Sequence, residues 1–235
     1  HAARVTVSTP RLAERMSAIN PRTRVLENAL SDGIWRPEPA ARVPDDTVRA
    51  LYMGTKTHHD DLRLILPALD AVAAECPSFR LTLIGVTADE SLAAPRQGWL
   101  KIVPIPADAQ DYDAFVPWLR TQAASCDFAL APLEDSPFNE SKSNLKLLDY
   151  AALGLPVVAS DVAIYRTDAP GVRQVENTVE GWTAALRAQI ELGEENAVQG
   201  AAQRAWVLAH HMLSGTLPAF DALLREMVAE RAARP

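Results

Sequence analysis

Two apolar strand patterns flank an amphipathic helical one between Val48 and Val86, and this unit constrains the fold more than any other stretch of the chain. Val48–Met53 (VRALYM) reads as a short buried strand that ends at Gly54. Beyond it, Leu62, Ile65, Leu66, Leu69, Val72, Ala73 and Cys76 recur at spacings of three and four residues, the stripe of an amphipathic helix. Thr57 with Asp60 three residues on marks the helix start, a capping-box pattern with Asp in place of Glu. Pro67 lies inside the pattern and predicts a kink or a late start, and Pro77 ends the helix. Phe79–Val86 (FRLTLIGV) is the next strand. Strand, helix and strand with short links require a parallel pair joined by a right-handed crossover.

The same alternation continues downstream. Strands are expected over Lys101–Ile105, Asp127–Leu133, Pro156–Ser160 and Val172–Val175. Helices are expected over Tyr112–Ala124, with Pro117 as an alternative mark of its true first turn, and over Ser141–Leu153, ended by Gly154. Glu180–Leu192, Glu195–Met212 and Leu217–Arg231 read as consecutive helices. Several strands are apolar on both faces, as a sheet covered on both sides requires. The fold class is therefore α/β, a doubly wound parallel sheet with helices on both faces.

The first 46 residues are different. Arg4–Ser8 and Arg24–Asn28 read as strands around a helix at Pro10–Ile19. Ser31–Asp46 holds Pro37, Pro39 and Pro44 and reads as an exposed linker. A lone strand–helix–strand cannot bury its own faces. Residues 1–30 are thus expected to end a domain that precedes this chain, with 31–46 as linker. Residues 47–212 form a Rossmann-like domain, and 213–235 a helix packing back toward the N-terminal side.

Composition narrows the function classes. Of 235 residues, 48% are hydrophobic and 23% charged, an ordinary globular balance. The net charge of −7 argues against general electrostatic attraction to nucleic acid or anionic lipid. Leu145–Val158 is the longest apolar candidate for a membrane helix, and Lys146, Asp149 and Pro156 interrupt it. No signal peptide pattern opens the chain. Cys76 and Cys126 sit beside apolar segments and read as buried thiols of a reducing compartment, with a disulfide between them as the alternative, so a cytoplasmic location is expected.

Two places are candidates for chemistry. At Gly54-Thr55-Lys56-Thr57-His58-His59 a strand turns into a helix N-terminus, where backbone N–H groups favour an anion. Gly54 lets a ligand approach the backbone, although an ordinary capped helix fits the same residues. No Gly-x-Gly-x-x-Gly or Walker pattern is present, and the adjacent histidines lack metal-ligand spacing. The second place is Pro132–Tyr150 (PLEDSPFNESKSNLKLLDY), which follows a buried strand at the carboxyl end of the sheet. The basic residues are 19 Arg and only 4 Lys, yet Lys142 and Lys146 fall in one pentapeptide. As a helix, the segment places Lys142, Lys146 and Asp149 on one face at i, i+4 and i+7. Two cations near a helix N-terminus, with Ser141, Ser143 and Asn144 as donors, suit a diphosphate, and Asp149 suits sugar hydroxyls. A solvated face with a Lys146–Asp149 ion pair is the plain alternative. Trp118 and Trp206 read as packing residues.

At PFNESKSNLKLLDYAALGLPVVAS the chain resembles the donor-binding half of the group 1 (family 4) retaining glycosyltransferases, whose GT-B fold sets two Rossmann-like domains about a cleft. The resemblance extends over nearly the whole chain, through VTVSTPRLAERM, RVLENAL, LYMGTKTHHDDLRLILPAL and DFALAPL. It implies retaining sugar transfer from a nucleotide-diphosphate sugar, with no cofactor or metal. Lys142 and Lys146 would stabilise the departing diphosphate, and Gly54, Thr55, His58, Asn139, Ser143, Asn144 and Asp149 would contact the donor. Its partners would be a nucleotide sugar and a sugar or glycan acceptor held by a preceding N-terminal domain, with no nucleic acid and no transmembrane segment, although that domain could touch a membrane. Alone, this chain would show little or no transfer. The sequence departs from the family pattern in three places: Asp149 replaces the second glutamate of the Glu-x7-Glu pattern, the first falls on Ser141 with Glu140 one place early, and Gly54-Thr55 replaces Gly-Arg. The Asp149 and Thr55 departures keep open a degenerate or non-catalytic nucleotide-sugar-binding module; a GT-B-fold nucleotide-sugar epimerase and a receiver-like or flavodoxin-like interaction domain are the further alternatives.

Overall fold

A computed structural model of the protein describes residues 4–39, 42, 45–54, 59–85 and 94–232. The strands are β1 (Val5–Val7), β2 (Thr23–Val25), β3 (Val48–Met53), β4 (Phe79–Ile84), β5 (Leu100–Val103), β6 (Phe128–Ala131), β7 (Val157–Ser160) and β8 (Val172–Val175). The helices are α1 (Pro10–Ser17), α2 (Asp32–Trp35), α3 (His59–Glu75), α4 (Tyr112–Ala123), α5 (Leu145–Ala152), α6 (Val179–Glu191), α7 (Glu195–His210) and α8 (Leu213–Ala232).

β3 to β8 form one sheet in the order β5-β4-β3-β6-β7-β8, with every neighbouring pair parallel. Side chains alternate across a strand, so the sheet has two cores. Leu51 and Met53 of β3 face one core, which α5 fills with Leu147, Leu148 and Tyr150, and α4 with Val116 and Leu119. Ala50 and Tyr52 face the other, filled by Leu62, Ile65 and Leu69 of α3 and Trp182 and Leu186 of α6. The chain runs outward from β3 to β5 and then returns to lay β6 against β3 on the opposite side. The carboxyl ends of β3 and β6 therefore flank the topological switch point, where doubly wound sheets bind ligands.

β1 and β2 form a separate parallel pair. Leu30 ties this unit to the α7–α8 junction: its N–H donates to the His211 carbonyl at 2.8 Å, and its carbonyl accepts from Leu213 N–H at 2.8 Å. Arg4 reaches α8 and pairs with Glu226 at 2.9 Å and with Glu230.

Several expectations need correction. The stretch from Ser31 is not an exposed linker at its start. Trp35 is only 1% exposed, because its large ring packs beside α4 and its Nε1–H donates to the Tyr112 hydroxyl at 2.8 Å. Pro67 lies inside α3, which already runs from His59, so the helix has no late start there, and Pro117 lies inside α4, which begins five residues earlier. Thr57, the expected cap of α3, falls outside the described residues. The helix expected from Ser141 begins at Leu145, after a single 3-10 turn at Asn139–Ser141. Leu217 is not the start of the last helix, which opens at Leu213. Cys126 is buried but Cys76 is only partly so, and both are free thiols. No described helix is long and apolar enough to cross a membrane.

Candidate functional site

The loop leaving β6 is held from three sides. Leu133 N–H donates to Ser160 Oγ at 2.8 Å, and Ser160 donates in turn to Asn177 Oδ1 at 2.6 Å. Asn177 Nδ2 returns a bond to the Leu133 carbonyl at 2.9 Å. Glu134 N–H donates to Asp61 Oδ1 in the first turn of α3 at 2.9 Å, and the Glu134 carbonyl accepts from Asn139 Nδ2 at 2.7 Å. Lys142 then adopts extended backbone, which breaks the turn before α5 can begin, and Asn144 supplies no side-chain cap. The first-turn N–H groups of α5 thus receive nothing from the side chain before them. The Tyr150 hydroxyl accepts from Met53 N–H at 2.9 Å and locks α5 to the carboxyl end of β3.

Lys146 and Asp149 stand in the first two turns of α5. A cation in the first turn opposes the helix dipole, so its placement calls for a compensating group. Its Nζ lies 4.9 Å from the centre of the Tyr52 ring, a cation–π contact. Both residues keep part of their surface in solvent, but their polar tips are shielded. Lys146 Nζ, Asp149 Oδ1 and Ser141 Oγ are buried without a hydrogen-bond partner among the described residues. No ion pair joins Lys146 to Asp149 among those residues, so the simple surface pair does not form. Burial pulls Lys146 down to about 8, opposed by the charges of Asp61 and Asp149 and reinforced by Lys142. Burial pushes Asp149 up to about 7, opposed by Lys146. Shielded ionisable groups without partners are costly. Chemically, an anion facing Lys146 and a hydroxyl facing Asp149 would satisfy both groups.

The other expected residues distribute as follows. Gly54 N–H donates to the Ile84 carbonyl at 3.0 Å, where the ends of β3 and β4 meet. Gly85 has φ +76°, and a Cβ there would sit 2.5 Å from the Gly54 carbonyl oxygen, so only glycine admits this approach. Thr55 and His58 lie outside the described residues. The shared i, i+4, i+7 face does not form, because Lys142 precedes the helix; its Nζ lies 5.1 Å over the ring of Phe138, which is 74% exposed. Asn139 spends its amide on the Glu134 carbonyl. Ser143 and Asn144, with Lys142, line a cleft of about 360 Å³ whose opposite wall includes Thr9, Asn28 and His211. Asp61, only 4% exposed, and Tyr52 were not singled out from the sequence. Nothing local distinguishes Asp61 from its neighbour Asp60; only the crossover from β6 brings a backbone N–H to it. Trp118 and Trp206 pack against the core, as expected.

Comparison with known proteins agrees with this geometry. A family model for glycosyl transferases group 1 matches residues 47–191, more than half of the chain. No curated protein matches. Among solved structures, a glycosyltransferase from Rickettsia africae superposes with a TM-score of 0.73 at 14% identity, covering 96% of this chain and 63% of that one. Sucrose-phosphate synthase from Thermosynechococcus elongatus gives 0.72 at 19% identity, covering 98% and 59%. Anabaena Alr3699/HepE in complex with UDP gives 0.68 at 13% identity, covering 96% and 64%. The chain therefore spans about three fifths of the length of these relatives. At such identities they attest the fold alone, and the family model carries the assignment: this chain belongs to the group 1 glycosyltransferases.

Proposed function

We propose that this chain is the donor-binding half of a retaining glycosyltransferase that takes a nucleotide-diphosphate sugar. The carrying observation is the set of shielded atoms Lys146 Nζ, Asp149 Oδ1 and Ser141 Oγ, unpartnered among the described residues, at the switch point of the sheet. A nucleoside diphosphate supplies what each lacks. Its phosphate accepts from Lys146 and from the N–H groups that open α5. Its ribose hydroxyls donate to Asp149, one turn deeper. Lys142, released from the Phe138 ring, adds a second cation as negative charge develops on the departing diphosphate. By the family resemblance, Gly54, Thr55 and His58 are assigned to the phosphate-contacting loop, and Asn139, Ser143 and Asn144 to further donor contacts. No metal or cofactor is assigned. The acceptor is a sugar or glycan bound by a second domain, so this chain alone binds nucleotide and transfers little or no sugar. That UDP occupies the similar Anabaena structure supports the reading.

A non-catalytic module is the second reading. It is favoured by Glu140, the only acid near the first position of the acid pair, whose carboxylate is taken up by Arg11 and Arg15.

Thermal unfolding with UDP, GDP, dTDP and ADP tests donor binding. Ligand at about 100 times its Kd adds about 2.7 kcal/mol, a rise of roughly 5–10 °C for a chain of this size. The expected result is a shift with one nucleotide that Lys142→Ala/Lys146→Ala abolishes. A flat response to all four overturns the proposal. Joining the chain to an acceptor domain and assaying transfer separates the enzyme from the non-catalytic module.

A further inference from the structure

The loop that precedes Lys146 is gripped from across the cleft by the N-terminal unit. Thr9 Oγ1 donates to the Ser141 carbonyl at 3.2 Å, and Asn28 Nδ2 donates to Ser143 Oγ at 2.7 Å. Arg11 donates twice to one oxygen of Glu140, Nε at 3.1 Å and Nη2 at 2.9 Å. Arg15 adds an ion pair to the same oxygen at 3.6 Å, and Glu14 holds Arg11 from behind at 2.9 Å. Residues 140, 141 and 143 are thus each bonded to a different element: α1, its cap residue, and the segment after β2. Within the Rossmann-like body, this stretch is a single turn at Asn139–Ser141, with Glu140 N–H donating to the Ser136 carbonyl at 3.0 Å, and its φ and ψ leave the helix at Lys142.

We infer that Arg11 and Glu140 are a positioning pair: they set the 140–143 loop, and with it Lys142 and the start of α5, in the geometry that receives the donor diphosphate. The inference rests on the donor reading above. An exposed ion pair adds little to global stability. Fixing the backbone of a loop, by contrast, removes an ordering cost that a ligand otherwise meets on binding. Losing the pair should therefore weaken the ligand more than it weakens the fold. Thr9 and Asn28 act in the same sense but touch backbone and a hydroxyl, so the Arg11–Glu140 pair is the part that a charge exchange can test.

The experiment is a titration of the whole chain with the nucleoside diphosphate that stabilises it most. It uses wild type, Arg11→Ala, Glu140→Ala, Arg11→Lys, the exchange Arg11→Glu/Glu140→Arg, and Arg225→Ala as a control from the exposed Arg225–Asp221 pair on α8. The expected result is a three- to tenfold rise in Kd for Arg11→Ala and Glu140→Ala. Ligand-free melting should stay within about 2 °C of wild type, with partial recovery in Arg11→Lys and the exchange, and no change in Arg225→Ala. Unchanged Kd in the alanine variants overturns the positioning role and leaves the donor reading intact. Alanine variants that melt far below wild type make the pair structural, which also overturns it. No nucleotide binding by wild type overturns the donor reading itself.

Discussion

At the scale of single residues, Lys146 and Asp149 carry the account. Each is shielded, unpartnered among the described residues and shifted toward its neutral form. On the donor reading, this cost is stability given up for a ligand site. Asp149→Asn is therefore expected to stabilise the ligand-free chain at pH 7.5, by on the order of 1–3 kcal/mol, while abolishing nucleotide binding. The sign follows from the raised carboxyl. Its contribution to wild-type stability is present at pH 4 and is lost as pH rises through about 7. Denaturant unfolding at pH 4.5 and 7.5 should show the variant gaining on wild type with rising pH. A variant less stable than wild type at both pH values contradicts the assignment. The spacing of Lys146 and Asp149 on a helix was legible in the sequence. Their isolation from each other was not, since it depends on Tyr52 beneath the ammonium and on the depth of α5 in the sheet edge.

Among the elements, α5 shows what governs its ends. It starts at Leu145 rather than Ser141 because a local bond and a long-range one hold the preceding residues: Asn139 to Glu134, and Thr9 to Ser141. A polar run such as Ser-Lys-Ser-Asn is compatible with helix or loop, and only the tertiary contacts decide. Its far end was readable, because Gly154 supplies the left-handed residue, at φ +74°, that closes the helix. That closure brings α7 close. A Cβ at Gly200 would lie 1.9 Å from the Gly154 carbonyl oxygen, which is backbone and cannot step aside. Gly200→Ala is expected to cost about 3 kcal/mol or more, measured by urea unfolding. Gly33, around which nothing lies within 4 Å of an added Cβ, is the matched control and should change stability little when replaced by Ala. The strands were the clearest elements in the sequence, because a sheet covered on both faces demands continuous apolar runs such as Phe128–Ala131.

Over the whole molecule, the connection between the N-terminal unit and the sheet decides whether the cleft keeps its shape. Arg204 of α7 is the peg. Its guanidinium donates to the carbonyls of Ala152 at 2.9 Å and Arg36 at 2.8 Å, and to Glu38 at 3.1 Å. The sequence presented residues 31–46 as a proline-rich spacer, and the buried Arg204 that pins them lies far along the chain, out of reach of any local pattern. Arg204→Met should lower stability by about 2–4 kcal/mol by leaving buried carbonyls unpaired. Glu38→Ala should change it by less than about 0.5 kcal/mol, since that carboxylate is largely solvated. Equal losses from both in chemical denaturation contradict the peg. The central claim, that the carboxyl edge between β3 and β6 receives a nucleoside diphosphate, is tested most directly by a crystal structure of the chain grown with the nucleotide that raises its melting temperature most. The account predicts a phosphate within hydrogen-bond distance of Lys146 Nζ and a ribose hydroxyl within reach of Asp149. A nucleotide seated elsewhere, with those two groups still unpaired, would contradict it.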